Sequence, residues 1–447
     1  MVLTKPDSGW AWVVMMAAFS IFVINGFLCY GYGMVQIALL DRFHDSIAKT
    51  SLVGSLYSTF LSCGGVCDGL LIRRYSCRLV AVAGGLLMTI GMFVSAFMTS
   101  LDWIIFTFGV VGGLGSGIQY TALFVAIGYN FERNVNLALG FAISGVGIGT
   151  FVFTPLFAYL MTVFPLEGLF ICLAGFSLQS VVASVMFFPS FLEIKHKTKS
   201  RIVNKERKGA DDDTQMSFCK TLEQMFKTVP FLILLLSTFV ANFGTYIVYI
   251  HFANYTTHKG TSAMETALLL SVIGLCFGLS RILAGLLCNS KAIDEPILLF
   301  STYAISGVSS LLLPTYSDTF TGQFVFAVIF GLYGGCLYAV INGITLRYLP
   351  LRDLGTAVGI ELAVVGIAIM TGPPAIGLII DATRNYDIGL VIAGLCLLLG
   401  AVLTLVAESC NNKRPQNNIT SLNTELASLT VDIPAPSEDT DICEHTI

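Results

Sequence analysis

Apolar residues in this chain come in long unbroken runs. They do not follow the alternation of a half-buried strand or the three-to-four spacing of a surface helix. Twelve such runs cover approximately residues 12–34, 52–72, 79–99, 103–127, 135–160, 167–189, 229–250, 265–287, 296–313, 323–345, 357–380 and 388–408. Each is near the length of about 20 residues that a helix needs to cross a hydrocarbon core roughly 30 Å thick. The pattern therefore predicts an all-α membrane protein of twelve transmembrane helices. The first run begins shortly after Lys5 and is too long for the 7–15-residue apolar core of a secretory leader, so it is read as a retained span.

One polar interruption is much longer than the rest. Residues 190–228 carry Lys195, Lys197, Lys199, Arg201, Lys205, Arg207 and Lys208, followed by Asp211, Asp212 and Asp213. This places a six-helix bundle in 1–189, a linker in 190–228, a second six-helix bundle in 229–408 and a tail in 409–447. The tail is rich in Asn, Ser, Thr and acids and is expected to be disordered. With the amino terminus in the cytoplasm, nineteen of the 24 lysines and arginines fall on the cytoplasmic side. Four fall outside (Arg42, Lys49, Lys259 and Arg384), and Arg281 alone lies within a span. That bias predicts both termini and the linker in the cytoplasm. The basic half of the linker is a solvated topology signal or a contact for anionic lipid.

Composition narrows the class. Of 447 residues, 55% are hydrophobic and 12% charged, and the mean hydropathy is +0.80. Ordinary soluble domains carry about 25% charge, so a soluble enzyme is excluded. A formal net charge of −4 argues against a nucleic-acid binder. No G-x-x-x-x-G-K-[ST] phosphate loop occurs, which removes a nucleotide-driven pump. The twelve cysteines avoid the predicted outer loops, and neither a metal site nor a cofactor is expected.

The halves echo each other. Gly109-Val-Val-Gly112-Gly113 in the fourth span matches Gly331-Leu-Tyr-Gly334-Gly335 in the tenth at an offset of 222 residues. Arg133, Gly140 and Pro155 recur with the same intervals as Arg352, Gly359 and Pro374 at an offset of 219. Parallel six-span repeats joined by a cytoplasmic linker resemble the layout of the major facilitator superfamily. In that fold, substrate binds between the halves near the bilayer midplane.

Two local motifs carry a closer resemblance. Asp7-Ser8-Gly9-Trp10-Ala11-Trp12 resembles the amino-terminal signature of the monocarboxylate transporter family, with Ser8 in place of the usual glycine. Asn130-Phe131-Glu132-Arg133 through Leu137-Ala138-Leu139-Gly140 to Gly145 resembles the family's second signature, keeping only Arg133 of its basic cluster. The stretch from Leu354 through Gly359 and Gly372-Pro373-Pro374 to Asp381 is similar to the family's eleventh span. The resemblance spans all twelve helices. It implies a plasma-membrane carrier of small organic anions or carboxylate-bearing zwitterions working by alternating access. A proton is a candidate second ligand. Some members also need a single-span immunoglobulin-like ancillary protein.

Candidate site residues follow from charge in apolar surroundings. Arg281 sits inside the eighth span, where a bare arginine costs about 2.5–3.5 kcal/mol even on the lenient insertion scale. It must face a cavity or a counter-charge, and its planar fork suits a carboxylate; related transporters place a substrate-binding arginine in this helix. An ion pair is the other reading. Proton-coupled members carry an aspartate one turn earlier and a lysine in the first span. Here those positions hold Phe277 and either Tyr32 or Gly33. Glu361, about a turn from the cytoplasmic end of the eleventh span, is a proton site or snorkels to the cytoplasm. His251 at the outer edge of the seventh is a pH sensor or an edge residue. Trp10 and Trp12 suit the headgroup interface, as anchors or as moving parts, next to Asp7 and Gly9. Asp68, Arg73, Arg74, Arg78, Arg133 and Arg352 could latch the halves at the cytoplasmic face, with Gly140 part of the signature; the bland reading is topology charge. Gly145, Gly147 and Gly149 are expected to let helices approach closely. A non-transporting sensor or scaffold with this fold is the alternative function.

Overall fold

The computed structural model describes residues 7, 9–131, 135–188, 225–290, 293–335, 337–350 and 353–411. The linker stretch 189–224 and the tail beyond 411 lie outside the described residues, as do Arg133 and Arg352.

Every regular element among the described residues is a helix. We number them α1 (Gly9–Tyr30), α2 (Tyr32–Phe43), α3 (Ile47–Arg74), α4 (Cys77–Ser95), α5 (Leu101–Asn130), α6 (Val135–Val163) and α7 (Leu166–Val185) in the first half. The second half holds α8 (Val229–His258), α9 (Ala263–Ser290), α10 (Glu295–Tyr316), α11 (Phe320–Gly334), α12 (Leu337–Tyr348), α13 (Leu354–Thr383) and α14 (Tyr386–Ser409). Ten helices are long and apolar enough to cross a bilayer. The remaining two of the twelve expected spans are the second, α3, whose described side chains end at Gly64 and include Ser55, Ser58 and Ser62, and the tenth, described as α11 and α12 on either side of residue 336.

The first span also differs from the expected 12–34. It bends at Gly31, whose amide closes a 2.7 Å bond to the Phe27 carbonyl, and continues as α2 to Phe43. A side chain at Gly31 would strike the Phe27 ring. The repeated Gly-x-x-Gly-Gly motif marks irregular backbone in both halves. Ile105–Gly112 of α5 is π-helical, and the matching motif in the tenth span closes α11 with Gly335 in a turn. Widened turns of this kind re-aim the side chains that follow.

Small residues bring the helices together. Added Cβ atoms on Gly84 and Gly115 would each lie under 3.0 Å from the other's helix backbone, and between α10 and α14 those on Gly307 and Gly394 would lie 3.0 and 2.6 Å from the facing backbone. Buried polar groups bond across helices, as they must where no water reaches. Tyr57 donates to Asn25 at 3.2 Å, Ser116 joins the same Asn25 oxygen, and Gln119 donates to Ser180 and Ser184 at 3.1 and 3.0 Å.

The halves meet along three seams. In α6, Gly145 and Gly149 lie against the α1 backbone at Phe19 and Val23, while Gly147 faces the opposite way onto Gly274 and Gly278 of α9. Two residues turn a helix by about 200°, so the Gly-x-Gly-x-Gly spacing thins both faces at once, as its sequence suggested. In the second seam, Thr59 of α3 donates to the Gly366 carbonyl of α13 at 3.0 Å. Further along it, the Asp381 carboxylate accepts the Ile47 and Ala48 amides at 3.0 and 3.1 Å. In the third, Gly33 of α2 packs on Ala253 and the Ile250 carbonyl of α8. The Asp381 and Gly33 contacts lie at the end carrying the turns 44–46, 259–262 and 384–385. We call this the sealed end.

Candidate functional site

Arg281 projects from α9 toward the boundary between the halves, half-buried, with its guanidinium carbon 4.3 Å from the centre of the Phe277 ring. The residue one turn earlier, where the family resemblance led us to look for an acid, is thus the platform on which the arginine rests. Stacking of this kind supports a guanidinium without neutralising it. The charge reaches Cys29 of α1 and Tyr120 of α5 in the opposite half.

Phe277 is held in turn by an aromatic cluster. Tyr30 of α1 packs on it at 4.8 Å, Tyr249 of α8 stands 4.9 Å from Tyr30, and Tyr246 lies 5.8 Å from Tyr249. Gly335 of the tenth span completes the wall, since a Cβ there would touch the Phe277 ring and carbonyl at 3.0 Å. Cys29 bridges the halves, its Sγ 3.3 Å from Ser58 and 3.9 Å from the Tyr246 hydroxyl. These residues form a plug beneath the sealed end. Arg281 lies one helical turn, about 6 Å, beyond Phe277 on the side away from that end. The arrangement offers a cationic fork under an aromatic lid, at the meeting of the two halves.

The other expected residues are scattered. Glu361 does not snorkel. It is 3% exposed, and its Oε1 lies 2.6 Å from the Thr345 hydroxyl of α12, while Oε2 is buried without a hydrogen-bond partner. The helix continues about two turns beyond it toward its amino-terminal end at Leu354, which keeps the side chain from reaching that end. His251 is not an edge residue either. The seventh span runs on to His258, so the imidazole is 2% exposed, with Nε2 2.9 Å from the Pro373 carbonyl. A carbonyl only accepts, so Nε2 carries the hydrogen.

Tyr32 and Gly33, the two positions considered for the lysine that the resemblance implies, diverge: the Tyr32 hydroxyl donates to the Thr50 carbonyl at 2.6 Å inside the first half, and Gly33 faces α8. Asp68 lies on α3 with its side chain outside the description. Arg78 stands 4.8 Å over the Phe188 ring.

The two signature motifs turn out to be neighbours. The Asp7 amide donates to the Asn130 carbonyl at 3.0 Å, and the Trp12 ring packs edge-on against Phe131 at 5.4 Å. Trp10 donates to the Met186 carbonyl at 3.3 Å and packs on Phe188. Both indoles stay more than a third exposed. Gly9, Gly140 and its repeat mate Gly359 have open space where a side chain would be.

Sequence reasoning missed Tyr30, Tyr246, Tyr249, Thr345 and Asp381. The tyrosines look like any other aromatic in an apolar run. Asp381 alone had a signal, as the acid ending the third family-like stretch.

The family model described as Major Facilitator Superfamily matches residues 11–350 and 294–431. Monocarboxylate transporter 2 of Mesocricetus auratus is 28% identical over 417 residues, covering 91% of this chain and 85% of its own. Monocarboxylate transporter 12 of Xenopus laevis is 25% identical and covers 93% of both chains. Among solved structures, a D-xylose-proton symporter superposes with a TM-score of 0.69 at 13% identity, covering 89% of this chain and 97% of that one, which speaks to the fold alone. A peptide transporter crystallised with sulfate gives the same TM-score. This chain is a multi-pass membrane protein and a secondary transporter rather than an enzyme; it is similar along nearly its whole length to monocarboxylate transporters, and it belongs to the major facilitator superfamily.

Proposed function

We propose that the protein carries a small carboxylate-bearing solute across the plasma membrane by alternating access, with Arg281 holding the carboxylate. The observation that carries this reading is the position of Arg281: at the boundary of the halves, stacked on Phe277, just beyond an aromatic plug. A guanidinium fork there meets a carboxylate at two points, and both halves can close around what it binds. Relatives named as monocarboxylate transporters support an organic monocarboxylate as the cargo. With both termini and the 190–228 linker in the cytoplasm, the sealed end faces outward and the structure is a cytoplasm-facing state.

A second reading, proton coupling, is favoured by one geometric detail at Glu361. Thr345 Oγ1 lies 2.9 Å from the Ile341 carbonyl and 2.6 Å from Glu361 Oε1. One hydroxyl hydrogen can serve only one of these acceptors. Both bonds form together if Glu361 is protonated and donates to Thr345. His251 has no such arrangement, and its role in this reading is lining the sealed end.

The test is uptake of a panel of radiolabelled monocarboxylates into vesicles at two external pH values. Accumulation that Arg281→Lys abolishes supports the reading. Binding without accumulation points to a sensor. Strong acid stimulation lost in Glu361→Gln assigns the proton to Glu361; pH-independent uptake removes coupling.

A further inference from the structure

We propose that Asp381 is the latch that holds the sealed end closed, by capping a helix of the opposite half. The first turn of any helix presents amides with no partner of their own, and these, with the helix dipole, attract a negative group. At the start of α3 the amides of Ile47 and Ala48 are filled by the two oxygens of one carboxylate, at 3.0 and 3.1 Å, and that carboxylate comes from the far end of α13. The sequence separation is 334 residues, so nothing local imposes the contact. Directly beneath, Gly377 has no side chain, and a Cβ there would fall 2.5 Å from the Ala48 Cα, which is what lets α13 come close enough for Asp381 to reach. The site is part-buried, where charge-assisted bonds are stronger than in open water.

The inference rests on the alternating-access reading. When the sealed end opens, α3 and α13 separate, and both bonds break together. The other groups at that helix start are engaged elsewhere: Asp45 accepts the Ser46 amide at 2.8 Å and pairs with Lys49 at 3.1 Å, and the Ser46 hydroxyl accepts the Lys49 amide at 3.2 Å, so only Asp381 serves Ile47 and Ala48. Asp381 therefore sets how often the outer end opens without touching the cargo. It is a positioning residue for transport, distinct from Arg281.

The test reads opening directly. A cysteine introduced at Ala253, which is buried against Gly33 in the α2–α8 seam at the same end, is labelled from outside by a membrane-impermeant maleimide. Rates are taken per surface molecule, with the parent carrying only its native cysteines as the blank. Asp381→Asn keeps the shape but loses the charge and turns a donor toward one amide. It should raise labelling roughly ten-fold, the change in a two-state ratio expected when a charge-assisted hydrogen bond is lost.

Ile47→Pro removes one amide from the other side of the latch and leaves the carboxylate in place; proline is well tolerated at the first helical residue. It should raise labelling in the same direction. A cysteine at Ala327, buried inside the second half, should label no faster in either variant. Unchanged labelling at Ala253 in either variant, or equal acceleration at Ala327, overturns the latch. Labelling needs no substrate, so an intact latch effect in a protein that takes up no carboxylate would remove the cargo assignment alone.

Discussion

The second spans of the two halves, α3 and α9, begin in opposite ways. At α9 the cap is local: the Ser262 amide and hydroxyl both bond to Glu265 Oε2, at 3.0 and 2.7 Å, and the Glu265 amide returns to Ser262 at 3.3 Å. This reciprocal box moves with its helix whatever the rest of the molecule does. At α3 two of the first amides are satisfied by Asp381 from the other half. At the 219-residue offset of the repeat, the position matching Asp381 is Thr162, whose hydroxyl turns back onto the Tyr159 carbonyl at 2.7 Å. Helices that are mates in the repeat thus differ in whether their ends depend on conformation. A self-capped end is indifferent to the transport cycle, and a borrowed cap exists in only one part of it.

The seams beside these ends differ in the same sense. Between α6 and α9 contact is steric, Gly147 on Gly274 and Gly278. Between α3 and α13 it is polar, through Thr59 and Asp381.

The largest effect should come from filling the steric seam. In Gly147→Leu the first added atom already falls 2.6 Å from the Gly274 carbonyl, and overpacking of this kind costs about 1–3 kcal/mol or more. Uptake should drop to background while surface labelling persists, and near-normal uptake would show that the seam is slack. Next comes Arg281→Lys, which keeps a cation above Phe277 but loses the fork. Uptake should fall by roughly ten-fold or more, and near-normal transport would reject carboxylate binding there.

Thr59→Val removes the hydroxyl that crosses the polar seam. The loss is about 1 kcal/mol, seen as a few-fold faster labelling of a cysteine at Ala253. The smallest effect belongs to the local cap. Ser262→Ala should cost about 1 kcal/mol of stability, lower the denaturation temperature slightly and leave Ala253 labelling unchanged. A labelling change as large as that of Asp381→Asn would erase the distinction between the two helix starts.

Much of this architecture was legible because bilayer helices need length and apolarity, both printed in the sequence. Arg281 stood out for the same reason, as a charge inside an apolar run. The bends were less visible. Gly31 and Gly335 are two among 43 glycines, and only their neighbours Phe27 and Phe277 show why the chain yields there. Glu361 and His251 were misplaced because span ends were drawn from hydropathy, while the helices run past those limits. The aromatic plug was hidden altogether, since Tyr30 and Tyr249 meet only when the halves do. Asp381 at the end of an apolar run looks like an ordinary turn residue until α3 is beside it.

The close approach of Gly147 to α9 bears on how this sequence can change. A Cβ at Gly147 would fall 2.6 Å from the Gly274 carbonyl, and one at Gly274 would fall 2.6 Å from the Thr150 Cβ. Backbone cannot swing aside as the tip of a long side chain can, so even alanine at 147 forces α9 to move. The two positions lie in different halves of the molecule, yet neither can gain a side chain unless the facing helix gives way.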